Sequence, residues 1–355
     1  MPLGGQIMEP FSAWMQAKGP DADIVLSSRI RLARNLKDMV FPNRLTDDVA
    51  EKMLHQVEQA VNDLSRTWQM HFERLDHLSP IDRQVLVEKH LISPAFIEEP
   101  VKYRAIAIDE RESISIMVNE EDHLRIQILL SGLQLEEAWT VANQLDDALE
   151  RRLDYAYDSH SGYLTACPTN IGTAMRASVM VHLPALVLTR QASQVFTTLA
   201  QIGMVVRGLY GEGSDAIGNI FQISNQVSLG LSEEEFIHNL ATVTQQIVGR
   251  ERHARQYLQH NAGVMLADRV ERAWGLLTHA HIMTSEEALR LLSEVKLGQD
   301  LGLLPKTKST FTQLTLFTRP GFLQSQAGHE LNAQERDQIR AQFLRERLRE
   351  EVQSV

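Results

Sequence analysis

From Tyr103 to Ser131 the chain alternates the β-rich runs RAIAIDE, SISIMVN and LRIQILLSG with short charged turns. Turns this short leave no room for a crossover helix, so the runs must pair with their sequence neighbours as an antiparallel meander. An antiparallel sheet is therefore the centre of the fold, and helical patterns surround it. Thr46-Asp47-Asp48 caps an apolar repeat of Val49, Met53, Val57 and Val61 that predicts a helix to about Trp68. A shorter helix, roughly 80–90, ends at His90 before the break at Ser93-Pro94, and another is predicted over 135–153. Strand texture returns near 155–165, at 175–182, at MVVRG and from Gly218 to Ser224. Leu183 to about Ile202 reads as a single helix, and Gly208, Gly211 and Gly213 mark a flexible loop.

A capping box, Ser232-Glu233-Glu234-Glu235, opens a helix to about Leu258. Beyond it the only strand-like signal is a short apolar stretch near 311–317. The rest is helical: about 264–280, then 285–297 from its cap at Thr284, then 332–352 from Asn332 and Glu335. This shift near 255 divides the chain into an N-terminal segment, 1–23, an α+β domain, 24–254, and an all-helical domain, 255–355. No apolar run approaches the ~20 residues that span a bilayer. The first residues lack the basic and apolar regions of a secretion signal, so the expected compartment is the cytoplasm.

Net charge is −11, which argues against general nucleic-acid binding. Yet arginines gather near strand ends and loops: Arg29, Arg31 and Arg34, then Arg125, Arg176 and Arg207. An acidic chain that concentrates guanidinium groups in this way is building an anion site, and guanidinium forks suit phosphate oxygens. No Walker-type glycine loop is present to cradle phosphates instead. The single cysteine, Cys167, excludes a disulfide framework and a cysteine-rich zinc site. It sits in a Cys-Pro-Thr-Asn-Ile-Gly-Thr turn where Pro168 and Gly172 can define one shape. From the residues alone it is either a functional thiol or a small buried hydrophobe.

Several words then fall in order: Ser27-Ser28-Arg29-Ile30-Arg31; Asn119-Glu120-Glu121-Asp122-His123-Leu124-Arg125; the run around Cys167 to Met180; Arg207-Gly208-Leu209-Tyr210-Gly211-Glu212; and Ile223-Ser224-Asn225. From about Ile24 to about Arg255 the chain resembles the catalytic domain of the phosphagen (guanidino) kinases. The resemblance implies an antiparallel sheet flanked by helices, of the glutamine-synthetase/guanidino-kinase type, followed here by the helical C-terminal domain. It implies ATP with Mg²⁺ as the phosphoryl source. It implies a nucleotide site made of Ser27, Ser28, Arg29, Ile30 and Arg31; His90; Arg125; Arg176, Ala177, Ser178, Val179 and Met180; and Arg207, Gly208, Leu209, Tyr210, Gly211 and Glu212. Glu121 and Glu212 take the positions that grip the acceptor guanidinium, and Cys167 lies beside it as a positioning thiol rather than a covalent nucleophile. Adjacent strand residues face opposite ways, so Glu120 is expected to point away from Glu121, toward the side of the metal-bound water.

Small-guanidine kinases carry a helical domain before the catalytic one, and here Ile24 already lies in the nucleotide word. Together with the extra C-terminal residues, this makes the whole chain resemble the bacterial protein-arginine kinases of the McsB type. The tail word Arg336-Asp337-Gln338-Ile339-Arg340-Ala341 matches that family's RDxxRA motif. Arg336 and Arg340 are four apart and share a helix face. The resemblance implies a phosphoarginine pocket there for allosteric control, with Ile339, Phe343, Leu344, Leu348 and Val352 packing the helix down. It further implies arginine-bearing protein substrates, a Clp-type ATPase/protease, a heat-shock repressor, a zinc-binding activator protein and a homo-oligomer. The alternatives are a small-guanidine kinase and a catalytically silent adaptor that reads phosphoarginine.

Overall fold

The computed structural model describes residues 11–208, 217–226, 228 and 230–352. Its strands are β1 (Val25–Arg34), β2 (Met70–Arg74), β3 (Ala105–Asp109), β4 (Ile114–Val118), β5 (Leu124–Ser131), β6 (Tyr157–Asp158), β7 (Gly162–Tyr163), β8 (Met175–His182), β9 (Met204–Gly208) and β10 (Ile220–Asn225). The helices are α1 (Asp47–Trp68), α2 (Pro80–Glu88), α3 (Leu135–Glu150), α4 (Pro184–Leu188), α5 (Ala192–Gln201), α6 (Glu233–His279), α7 (Ser285–Asp300), α8 (Phe311–Phe317), α9 (Pro320–Ala327) and α10 (Ala333–Val352). All strands but β6 and β7 form one 8-stranded antiparallel sheet in the order β2-β3-β4-β5-β1-β8-β10-β9. The expected α+β architecture, with a helical C-terminal region, is thus the one observed. The meander β3-β4-β5 is the expected one, and β1 is inserted between β5 and β8.

The faces of the sheet differ because side chains alternate along each strand. Ile30, Leu32, Ile126, Ile128, Ala177, Val179 and Ile223 point to one face, where α1, α3, α5 and α6 cover them. Among the described residues the other face is covered at its two ends. At one end α2 packs Val85 and Leu86 on Ile106, Ile108 and Met117. At the other, Leu129 meets Trp14, Met15, Leu316 and Phe317, while Leu26 and Ile220 meet Leu289 of α7. The cleft lies between these two covers.

Helix boundaries depart from expectation in several places. The run Leu183–Ile202 is broken into α4 and α5, with Arg190 at φ 58 between them. No glycine or proline punctuates that break, so its sequence gives no turn signal. The segments near 233–258 and 264–280 are one helix, α6, distorted at Ala262 (φ −137, ψ 27). Its first part belongs to the core beneath the sheet as far as Ala254. Its last part, from Leu266, joins α7 and α10 in a separate C-terminal core. The stretch 311–317 is a helix, not a strand, because Thr310 and Gln313 form a complete capping box. No described helix is long and apolar enough to cross a membrane.

Candidate active site

The open face of the sheet carries the arginines, and strand register explains why they meet. Arg31 on β1 lies opposite Gln127 on β5 and Arg176 on β8. Ala33 pairs with Arg125, Arg29 pairs with Ser178, and Met180 pairs with Gln222, which in turn faces Arg207. Cross-strand partners share a face, so Arg29, Arg31, Arg125, Arg176 and Arg207 all project from the same face of the sheet. Neutral partners hold two of them. Arg29 donates to Gln222 Oε1 at 2.8 Å and to Ser178 Oγ at 3.3 Å. Arg176 donates to Ser224 Oγ at 3.0 Å.

This crowding depresses the guanidinium pKa values. Burial, then the charges of Arg176 and Arg125, lower the Arg29 pKa to about 10. Burial, then Arg29, Arg125 and Arg176, push Arg31 well below its ordinary value, with Glu120 partly opposing. Like charges facing each other destabilise a sheet, so Arg31 against Arg176 is a local strain that a polyanion would relieve. The cleft encloses about 370 Å³ and is lined by Arg29, Arg31 and Arg207 together with His90, Gln127 and Gln222.

His90 follows α2 in a left-handed turn (φ 61), and its ring meets Trp14 edge-on at 5.7 Å. Burial, then the charges of Arg29 and Arg319, lower its pKa to about 3, so the imidazole is neutral near pH 7. The strand words contribute alternate residues only. Ser27, Arg29, Arg31, Arg176, Ser178 and Met180 lie on the cleft face. The side chains of Ile30, Ala177 and Val179 are buried in the core on the opposite face, so they do not line the cleft. Ser28 also turns away, donating to Gly132 O and accepting from Gln134 N.

At the far end of the arginine row, the turn between β4 and β5 presents Glu120 and Glu121. Arg125 reaches both: Glu120 at 2.7 Å and Glu121 at 3.3 Å. Glu120 also accepts from Ser93 Oγ at 2.5 Å. The expected opposition of Glu120 and Glu121 therefore fails. They lie in the turn beyond β4, where strand alternation does not apply, and their carboxylates converge. Burial raises the Glu121 pKa, as do Asp122 and Glu120, while Arg125 opposes.

Sequence reasoning missed what fastens Cys167 to this turn. Asp122 Oδ1 accepts from Asn35 Nδ2 at 2.6 Å and from Ala166 N at 2.7 Å. Asn35 also donates to Leu164 O, and His123 N donates to Asn35 Oδ1. Asp122 thereby ties the glutamate turn to the residue preceding Cys167. Its position beside Glu121 was the available signal. Cys167 is half-buried, with Sγ 3.0 Å from Thr169 Oγ1. The thiol is therefore not a buried hydrophobe. Gly172 has the positive φ expected of that turn, 107. A Cβ on neighbouring Gly162 would sit 2.3 Å from Gly172 O, so that glycine is needed for the close approach. Gln222, Trp14 and Arg319 were also missed, because only tertiary packing brings them to the cleft. Leu209, Tyr210, Gly211 and Glu212 lie outside the described residues.

The tail word lies on α10, remote in sequence from the sheet. Ala341, Leu344 and Leu348 are buried in the C-terminal core. Phe343 is half-buried, Ile339 likewise, and Gln338 is exposed. Arg336 and Arg340 differ. Arg336 donates to Leu331 O at 2.5 Å and is half-buried. Arg340 is 1% exposed and donates to Thr318 O at 2.7 Å, Met283 O at 2.8 Å and Asp337 Oδ1 at 2.5 Å.

Residues 52–254 match the family of ATP:guanido phosphotransferase C-terminal catalytic domains. Residues 263–354 match the protein-arginine kinase McsB C-terminal domain. A protein-arginine kinase of Symbiobacterium thermophilum is 55% identical over 95% of this chain and 96% of its own length. One of Desulforamulus reducens is 51% identical over 98% of both. Among solved structures, a lombricine kinase superposes with TM-score 0.59 at 23% identity, covering 67% of this chain and 68% of its own. A duplicated taurocyamine kinase of Schistosoma mansoni gives 0.60 at 24%, covering 76% of this chain and 40% of its own. At such identities these last two speak for the fold alone.

Proposed function

The chain belongs to the ATP:guanido phosphotransferase family and is a guanidino phosphotransferase, and we propose that its acceptor is the guanidinium of arginine side chains in proteins. What supports it is the match of residues 263–354 to the protein-arginine kinase C-terminal domain, together with the near full-length similarity to protein-arginine kinases; the row of arginines running to the carboxylates of Glu120 and Glu121 is the site that would do the work. The ion pairs of Glu120 and Glu121 with Arg125 show carboxylates of the kind that pair with guanidinium groups.

ATP would lie with its phosphates over Arg29, Arg31, Arg125, Arg176 and Arg207. Their charges neutralise the triphosphate and hold it in line. An arginine nitrogen attacks the γ-phosphorus. The N–P bond forms, the bond to the β,γ-bridging oxygen breaks, and ADP leaves with that electron pair. The nitrogen's proton passes to a carboxylate, for which Glu121 is suited by its raised pKa. Glu212 is the proposed second grip, and Cys167 positions the acceptor from the adjoining turn. The oxygen chemistry of Glu120 suits magnesium, and such an ion would be held mainly by phosphate oxygens and water and would add positive charge on the phosphates.

The matched C-terminal domain supports a phosphoarginine-responsive α10, with Arg336, Asp337, Gln338, Ile339, Arg340 and Ala341 as its word. A Clp-type protease, a heat-shock repressor, a zinc-binding activator, self-association and a cytoplasmic setting extend the proposal on family resemblance. Incubation with labelled ATP, a casein-like protein and free arginine tests the core of it. Label on protein arginine is expected. Label on free arginine alone would identify a small-guanidine kinase, and no label with retained phosphoarginine binding would identify an adaptor.

A further inference from the structure

The cleft is not built from the sheet alone. Phe311, Thr312, Thr315, Leu316 and Arg319, from α8 and the turn after it, line the same cavity as Arg29, His90 and Gln222. These residues lie outside the region matched by the catalytic-domain family.

The cleft has a chemical gradient along β1. At the Arg31 end stand Arg176, Arg125 and the glutamate turn. Toward the start of β1 the cleft-facing residues become Ser27 and Met180. A register shift between Val25 and Ser27 then turns Leu26 to the cleft side, where it clusters with Ile220, Met180 and Phe311. A nucleoside triphosphate has the same gradient, charged at one end and flat and apolar at the other. The wall that α8 supplies stands at the apolar end.

This wall is fixed in place at several points. Thr310 Oγ1 and Thr312 Oγ1 donate to Met15 O at 2.6 and 3.0 Å. Glu88, at the end of α2 and two residues before His90, accepts from Gly321 N at 2.8 Å and Phe322 N at 2.9 Å. Its carboxylate thus holds the N-terminus of α9 and, with it, the preceding Arg319. Arg319 and His90 line the cavity together, and the Arg319 charge is one cause of His90 remaining neutral. Thr315 Oγ1 is buried in this wall with no hydrogen-bond partner among the described residues. An orphaned hydroxyl beside a cavity is the state expected where a ligand supplies the partner.

We propose that the C-terminal helical region completes the nucleotide pocket: Phe311 and Leu316 cover the base, while Thr315 and Arg319 bind the nucleoside portion of ATP. This rests on the reading of the cleft as an ATP site. A guanidinium suits the place because it stacks on an aromatic plane and donates to ring or ribose acceptors.

Calorimetric titration of the full chain with ATP and with inorganic tripolyphosphate tests the assignment. The variants are Arg319→Gln and the near-isosteric Thr315→Val, each checked by thermal unfolding. For Arg319→Gln, ATP affinity should fall about ten-fold, the scale of one hydrogen bond from a charged group. Tripolyphosphate affinity should stay within about two-fold of the parent. Thr315→Val should weaken ATP in the same selective way, by a smaller factor. Unchanged ATP affinity in both folded variants would overturn the proposal. So would equal loss for both ligands, which would make Arg319 a general source of positive charge. If the parent binds neither ligand, the nucleotide reading of the cleft itself fails, a distinct result.

Discussion

The proposed base, Glu121, has an arginine beside it. Burial and the neighbouring Asp122 and Glu120 raise its pKa, and Arg125 restrains the rise. Glu121→Gln keeps the shape and removes the base. Turnover on protein arginine should fall roughly 10²–10³-fold, with ATP affinity nearly unchanged. Because the pKa is raised, the parent's rate should decline with acid earlier than an ordinary glutamate would dictate, and a pH–rate profile reads this. Near-parental turnover in the variant would remove Glu121 from the catalytic role. His90 gives a second prediction. Its pKa falls from about 6.5 to about 3 on folding. As pH drops below about 6.5 the unfolded chain takes up a proton that the folded chain refuses until about 3. The stabilisation is therefore full above pH 6.5 and lost progressively toward pH 3, with a slope of at most about 1.4 kcal/mol per pH unit. His182 acts in the same direction. Urea midpoints at pH 7 and pH 5 should differ less in His90→Gln than in the parent, and an undiminished difference would mean that His90 is protonated in the fold. The arginines of both strand words were legible in the sequence because each sits in a contiguous motif. Asp122, Gln222 and Arg319 were less so, since their roles come from partners far along the chain, such as Asn35 for Asp122 and Arg29 for Gln222.

Elements were legible where periodicity and caps agreed. The meander, α1 and α10 stand where their patterns put them. Misreadings arose where local texture was neutral: the Arg190 break in a continuous apolar run, the distortion inside α6, and α8, whose Thr310–Gln313 box outweighs its strand-like composition. Helix α10 shows a subtler limit. Spacing placed Arg336 and Arg340 on one face as equals, but packing separates their duties. Arg340 satisfies the carbonyls of Thr318 and Met283 in a buried setting. Arg340→Ala would strand those acceptors, and loss of about 3 kcal/mol is expected from chemical denaturation. Arg336→Ala, removing a half-buried side chain bonded to Leu331 O, should cost less than about 1 kcal/mol. The single Arg336 variant is therefore the informative test of phosphoarginine binding. Loss of calorimetric binding without loss of stability supports that role, and unaltered binding removes Arg336 from it. A double replacement would confound binding with unfolding.

At the scale of the molecule, the family motifs describe a catalytic sheet, but the contacts describe flanking segments that pack on it from both sides in sequence. The N-terminal residues Trp14 and Met15 pack against Leu129, Leu316 and Phe317. Glu88 grips α9, and Arg340 of α10 grips Thr318, one residue from the cleft-lining Arg319. The segment from α8 to α9 therefore touches the cleft on one side and α10 on the other. None of this was readable from the sequence, since a helical tail announces its own periodicity but not the surface it docks on. A consequence follows for ligand binding. A ligand that binds only the folded state stabilises it by about 2.7 kcal/mol at a hundred times its dissociation constant. That stabilisation falls on whatever elements form the site. Saturating ATP should slow hydrogen exchange in β1 and β8, and equally in α8 and the first turn of α9. Tripolyphosphate should protect the strands and leave α8 nearly as it was. The experiment is a peptide-resolved exchange comparison of the apo, ATP and tripolyphosphate states. Protection confined to the strands in both ligand states would make the helical region a bystander to nucleotide binding. Any influence of α10 on the active site would then have to run through some other part of the fold.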